Sequence, residues 1–180
     1  MIRINIVCLF QPREALGTEF WDIIDKDGNF IRRTPVLGTV TLDRGEYHLV
    51  AHIWIKNSKG EFLIQHRAEH MDMMPGLWAA NGGSVKSGET SAQAAARELH
   101  EELGLKTAPE QLQYRERLVR RNSLADIWLL RADVDIRGLT LQSDEVTEVK
   151  WVAPAGLRFM VAQGVFHDYG KAYFDIVFSL

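Results

Sequence analysis

A single cysteine, Cys8, occurs in the 180 residues, so no disulfide can close within the chain and a reducing compartment, the cytoplasm, is expected. Cys8 itself reads as a small buried apolar residue. A basic excess is also lacking. The chain has 21 Lys+Arg against 24 Asp+Glu, for a net charge of -3 and a pI near 6.1. That balance offers no electrostatic footprint for nucleic acid or an anionic membrane, and it leaves small molecules as the better partners. No stretch approaches the ~20 apolar residues of a membrane span. The apolar start, Met1 to Phe10, is broken by Asn5 and followed by Gln11-Pro12-Arg13-Glu14 without a small-residue cleavage site, so a signal peptide is not expected. Repeats, linkers and low-complexity tracts are missing. The 46% hydrophobic and 25% charged residues can then build one buried core. The expected organisation is an N-terminal arm or short strand over residues 1–20 and a single domain over 21–180.

Short apolar runs separated by turn signals fill most of the chain. Residues 21–24 and 30–32 flank Asp25-Lys26-Asp27-Gly28-Asn29, which reads as a hairpin turn; its glycine falls too early for a calcium loop. Residues 47–56 and 61–66 predict a second hairpin across Asn57 to Gly60, with His52 on the strand surface. Further strands are predicted over 113–121, 125–134 and 148–152, and a helix over 154–163 begun by Pro154. Strands and helices mixed in this order predict an α/β fold with one mixed sheet between helices.

The segment from Gly83 to Leu105 carries the chemistry. Glu98, Glu101 and Glu102 stand at i, i+3 and i+4, spacings that bring side chains together on a helix. Like charges so placed cost a few tenths of a kcal/mol per pair, and a divalent cation is the natural reason to keep them. A solvated acidic face is the plainer account, but it leaves the glycines, Glu89 and Arg97 unexplained. Ala92, Ala95, Ala96, Leu99 and Leu103 form an apolar stripe that can pack on a sheet, with the three acids on another face. Thr90-x-x-Gln93 predicts a capping box, and Gly104 a left-handed stop.

The segment resembles the signature of the Nudix hydrolases, G-x5-E-x7-R-E-U-x-E-E-x-G-U with U aliphatic. Gly83, Glu89, Arg97, Glu98, Leu99, Glu101, Glu102, Gly104 and Leu105 fill every defined position. Pro75 to Trp78 before it and Asp144 to Val146 and Trp151-Val152 after it are similar to the family as well. The resemblance implies an α/β/α sandwich and hydrolysis of a diphosphate bond with Mg2+, for which Mn2+ can substitute. It implies Glu98 and Glu102 as metal ligands, Glu101 as a third ligand or the base, and the Gly82 carbonyl as a backbone ligand. Arg97 and Glu89 read as scaffold, the guanidinium expected to orient a carboxylate and Glu89 to help fix the loop against the helix. Glu145 and Glu148 lie where the family often adds another acid near the metal; a solvated strand end is the competing account. Arg67 is a candidate for substrate phosphate, against an ordinary surface ion pair. Trp54, Trp78, Trp128 and Trp151 are better read as core than as base-stacking surfaces.

The expected substrate is a nucleoside diphosphate linked to another moiety, or a related small organic pyrophosphate; a homodimer is allowed. Isopentenyl-diphosphate isomerase shares the resemblance, but this chain has Gly82-Gly83-Ser84-Val85 where that enzyme carries a C-G-H-P loop, and Met71 where a lysine is expected. A non-catalytic nucleotide sensor is the other alternative, disfavoured because it has little need of all three acids. Markers for coenzyme A and NADH pyrophosphatases, and for ADP-ribose and diadenosine polyphosphate enzymes, are not evident, Arg120 and Arg121 occupying the last region.

Overall fold

The computed structural model describes residues 18–36 and 40–180. The arm expected over 1–20, and with it Cys8, lies almost wholly outside the described residues. Strand β1 (Phe20–Ile24) and strand β2 (Phe30–Pro35) form an antiparallel two-stranded sheet. The turn between them closes as its composition predicts. One oxygen of Asp25 accepts the amides of Asp27 and Asn29, both at 2.9 Å, and Gly28 takes φ 88, where side chains other than glycine's are disfavoured.

The remaining strands join in a seven-stranded mixed sheet: β3 (His48–Lys56), β4 (Phe62–Arg67), β5 (Trp78–Ala79), β6 (Asn81–Ser84), β7 (Gln113–Val119), β8 (Ser123–Arg131) and β9 (Val146–Val152). β3 runs parallel to β8 from His48↔Ser123 to Lys56↔Arg131, and the other pairings are antiparallel. The hairpin expected over residues 47–66 holds at only two pairs, Ile55↔Leu63 and Lys56↔Phe62. Beyond them β3 and β4 part. β6 pairs with β3 through Val50↔Ser84 to Ile53↔Asn81, and β5 pairs with β4. Gly82, at φ 143, makes this insertion possible, since a Cβ there would overlap the Ala51 carbonyl.

Three helices cover the two faces among the described residues: α1 (Ser91–Leu103) on one side, α2 (Pro154–Ala162) and α3 (Lys171–Ser179) on the other. Strand alternation divides the core accordingly. Ala51, Ile53, Ile55 and Leu63 pack with Ala95, Leu99 and Leu103 of α1. Trp54, Phe62, Ile64 and Leu129 pack with Leu157, Phe166, Tyr173 and Val177. Each large side chain fully buried in this way contributes roughly 1.5–3 kcal/mol. The α/β/α sandwich with a mixed sheet is therefore the observed fold, and α3, β5 and β6 are elements the sequence reading did not separate.

Helix α1 is capped as expected. Thr90 accepts the Gln93 amide, the Gln93 side chain accepts the Thr90 amide at 2.8 Å, and Gly104 ends the helix at φ 66. Its buried stripe includes Ala94 and, against expectation, Glu102, which is only 1% exposed. Glu102 stands next to Ala95 on the wheel, so packing Ala95 and Leu99 on the sheet carries Glu102 inward with them.

Candidate active site

The three acids of α1 do not share one environment. Glu102 reaches under the splayed strands, where Gln65 of β4 donates to its Oε1 at 3.2 Å and the Gly82 amide approaches its Oε2 at 3.4 Å. Burial first, and then the neighbouring Glu98, pushes the Glu102 carboxyl up to about 8. Glu98, one turn back, has a side chain 13% exposed and is also pushed up by burial, against the pull of Arg97. Glu101 points outward at 44% exposure.

Arg97 organises the outer half. Its Nε and Nη2 donate to Glu89 at 2.8 and 3.0 Å, and Nη2 also donates to the Ser84 carbonyl at 3.0 Å. Nη1 donates to Glu98 at 2.7 Å and to Glu101 at 2.9 Å. Glu89 in turn accepts the Lys86 amide at 3.1 Å. A planar donor fork can join three carboxylates and a loop carbonyl in this way, and an ammonium cannot. The loop from β6 into α1 is thereby tied to the helix. Gly83 completes the fit: a Cβ there would lie 2.6 Å from Glu98 Oε2 and closer still to Oε1.

Of the residues singled out beyond the helix, Glu145 lies in the loop before β9, close enough to raise both Glu98 and Glu102 electrostatically, and it accepts a bond from Gln142 at 3.0 Å. Glu148 is exposed on β9, opposite His66. Among the described residues no three acidic, histidine or cysteine side chains converge as a ready-made cation cage. Glu98 and Glu101 are instead held by Arg97. The oxygen donors are present, but the arrangement is open.

Arg67 is not a surface ion-pair residue. A bulge between His66 and Arg67 re-aims it, and it is 7% exposed with Nε donating to the Met73 carbonyl at 2.9 Å. It lines a cleft of about 590 Å³ that opens along Gly82, Gly83 and Ser84. The cleft also takes in Trp21, His52, Arg120, His167 and Tyr169, which the sequence reading did not assign to a site. His52 corrects an expectation. It is half-buried and faces the cleft rather than open surface: Tyr169 and Tyr173 pack edge-on to it, its Nδ1 shares a 2.9 Å bond with the Tyr173 hydroxyl, and burial and Arg120 bring it down to about 3. Its alternation on β3 is that of a half-buried strand, His48, Val50 and His52 lining the cleft and Ala51 and Ile53 buried on the other face. The tryptophans divide. Trp54 is buried in the core, Trp78 lies under Lys150, Trp151 donates to the Val134 carbonyl, and Trp128 packs edge-on to Tyr114.

Comparison with known proteins agrees with this geometry. Residues 46–171 match the family model described as NUDIX domain. An uncharacterized Nudix hydrolase of Listeria innocua is 36% identical over 152 residues, covering 84% of this chain and 89% of that protein. Nudix hydrolase 3 of Arabidopsis thaliana is 29% identical over 90% of this chain but only 24% of its own length. Among solved structures, DR0079 from Deinococcus radiodurans superposes with a TM-score of 0.71 over 88% of this chain and 97% of that one, at 20% identity, which speaks to the fold. With its signature helix, its sandwich and these relatives in agreement, the chain belongs to the Nudix hydrolase family.

Proposed function

We propose that this hydrolase cleaves a diphosphate bond in a nucleoside diphosphate linked to another moiety, or in a related small organic pyrophosphate, with Mg2+ and, in its place, Mn2+. The observation that carries the reading is Glu102. A carboxylate 1% exposed, pushed up to about 8 and beside a second acid, is costly unless a cation joins it. Glu98, Glu102 and the Gly82 carbonyl offer hard oxygen donors that suit Mg2+, with Glu145 adding negative charge nearby. The buried Gln65 Oε1, which has no partner among the described residues, leaves a further polar atom facing this region. The residues fit the ion. When bound, the cation supplies charge neutralisation on phosphoryl oxygens and acidifies water.

The chain's own groups do the rest. Arg67 binds a phosphate oxygen from the cleft side of β6, with its terminal nitrogens free of protein partners among the described residues. Arg97 holds Glu98 and Glu101 in orientation. Glu101, the most exposed of the three acids, is the third ligand or the group that takes a proton from water. An isomerase reading is disfavoured by the same geometry, since Gly82 has no room for the cysteine that the reaction requires.

The test is a panel of diphosphates with Mg2+ in 18O-labelled water. Hydrolysis with label in a phosphate product is expected, a nucleoside diphosphate sugar yielding two phosphorylated halves. Label found only on the non-phosphate half would overturn the attack on phosphorus. Binding of the panel without turnover would indicate the sensor.

A further inference from the structure

Trp54, Tyr173 and His52 form a hydrogen-bonded chain whose direction is set from its buried end. The Trp54 side chain is wholly buried and its indole nitrogen can only donate, so the 3.0 Å bond to the Tyr173 hydroxyl makes that oxygen an acceptor. The hydroxyl has one other partner among the described residues, the His52 Nδ1 at 2.9 Å. If it accepted there as well, its own proton would be left unpaired on a side chain only 1% exposed. It therefore donates to Nδ1. A ring nitrogen that accepts carries no proton, which makes His52 a neutral imidazole with its proton on Nε2.

That N–H is not consumed within the protein. The described side-chain atoms buried without a partner are Gln65 Oε1, Asn81 Oδ1 and Trp128 Nε1, so the His52 Nε2 is open to the cleft that the ring lines. Tyr169 and Tyr173 hold the ring edge-on at 5.0 and 5.4 Å between centroids. Tyr169 also connects it to the cations of the cleft: the Arg120 guanidinium lies over the Tyr169 ring at 5.4 Å, and both Arg67 and Arg120 act on Tyr169 electrostatically. Gly82, on the same wall, pairs with His52 across β3 and β6. A neutral N–H and two guanidiniums facing one space suit the same kind of group, an anionic oxygen.

Building on the reading above, we infer that His52 is a further substrate-binding residue, its Nε2–H donating to a phosphoryl oxygen of the diphosphate beside Arg67 and Arg120, and that Trp54 and Tyr173 are the positioning residues that fix its tautomer. Without that chain a neutral histidine could present a lone pair to the anion as readily as a proton. The buried indole removes the choice.

Long-range 1H–15N spectra of 15N-histidine-labelled protein at pH 7, with the His52 signals identified by their loss in His52→Gln, should show Nδ1 unprotonated and Nε2 protonated. Tyr173→Phe removes the donor to Nδ1, so the signature should move toward the Nδ1–H form. Adding ADP with millimolar Mg2+ to the parent should shift the Nε2 signal more than the Nδ1 signal, a readout that depends on no variant folding. Titration calorimetry with ADP should show affinity about tenfold or more lower for His52→Leu, the scale of losing a hydrogen bond to a charged group, with His52→Gln, whose amide still donates, recovering part. An Nδ1–H tautomer or an imidazolium in the parent overturns the inference, as does ADP affinity unchanged in His52→Leu or a parent that binds neither ADP nor inorganic pyrophosphate. Neither readout needs turnover. A diphosphate panel that is bound but never hydrolysed would sink the proposed reaction and leave these results standing, so the two failures are distinguishable.

Discussion

Glu102→Gln is expected to make the metal-free protein more stable at alkaline pH while destroying its activity. In the folded chain the Glu102 carboxyl holds its proton up to about 8, against an ordinary 4.5. The folded state therefore binds a proton that the unfolded state releases over this interval. Stability from the neutral form is fully present below pH 4.5 and is lost as pH rises toward 8. At 1.36 kcal/mol per pH unit, the loss is on the order of 5 kcal/mol as an upper bound. The amide carries no such penalty. It gives up charge-assisted bonds from Gln65 and Gly82, worth about 1.5–3 kcal/mol together with their rearrangement. Part of this is recovered if the Gln65 amide turns over, because its unpartnered Oε1 can then accept from the new side chain. A net gain of about 2–3 kcal/mol at pH 8 remains, or roughly 5–10 °C in Tm for a chain of this size. Thermal unfolding of both proteins in chelator, from pH 5 to pH 8.5, should show the curves converging at the acid end. Millimolar Mg2+ should raise the Tm of the parent and not of the variant. Turnover should fall on the order of 100-fold or more, the scale of losing one group that stabilises transition-state charge. A variant less stable than the parent at pH 8 without metal, or one with near-normal turnover, would refute the reasoning.

Two further substitutions probe the loop. Gly83→Ala places a methyl against both Glu98 oxygens, so kcat should drop at least tenfold with a stability loss of about 1–3 kcal/mol. Combining it with Glu98→Ala should recover most of that stability, and an additive double mutant, read by thermal melts, would show that the clash lies elsewhere. Arg97→Lys keeps the charge but cannot span Glu89, Glu98, Glu101 and the Ser84 carbonyl together. Chemical denaturation should report a loss of about 1–3 kcal/mol, and an unchanged midpoint would remove Arg97 from the scaffold.

Local chemistry was readable directly from the residues. The helix carrying Glu98, Glu101 and Glu102 could be delimited because its cap, its stop and its apolar period are all set by neighbours within a turn or two: Thr90 with Gln93, Gly104, and Ala95 with Leu99 and Leu103. The family followed from the same segment, since its spacing is a property of one helix and one loop. What the residues alone did not decide was environment. Three glutamates on one helix look equivalent in sequence, yet the sheet buries Glu102, half-encloses Glu98 and leaves Glu101 in water. That division depends on β6 slipping between β3 and β4, a pairing between segments some thirty residues apart that hinges on the close approach of Gly82 to Ala51. The cleft was hidden for a similar reason. Its residues come from β1, β3, the β4 bulge, the β7–β8 turn and the loop before α3, and no period along the chain connects them. Arg67 was legible as a lone cation near a strand end. Arg120, His167 and Tyr169 acquired meaning only when packing brought them together around His52. Side chains take their local geometry from neighbours in sequence, but solvation and charge balance come from neighbours in space, and here these separate the buried acid from the exposed one.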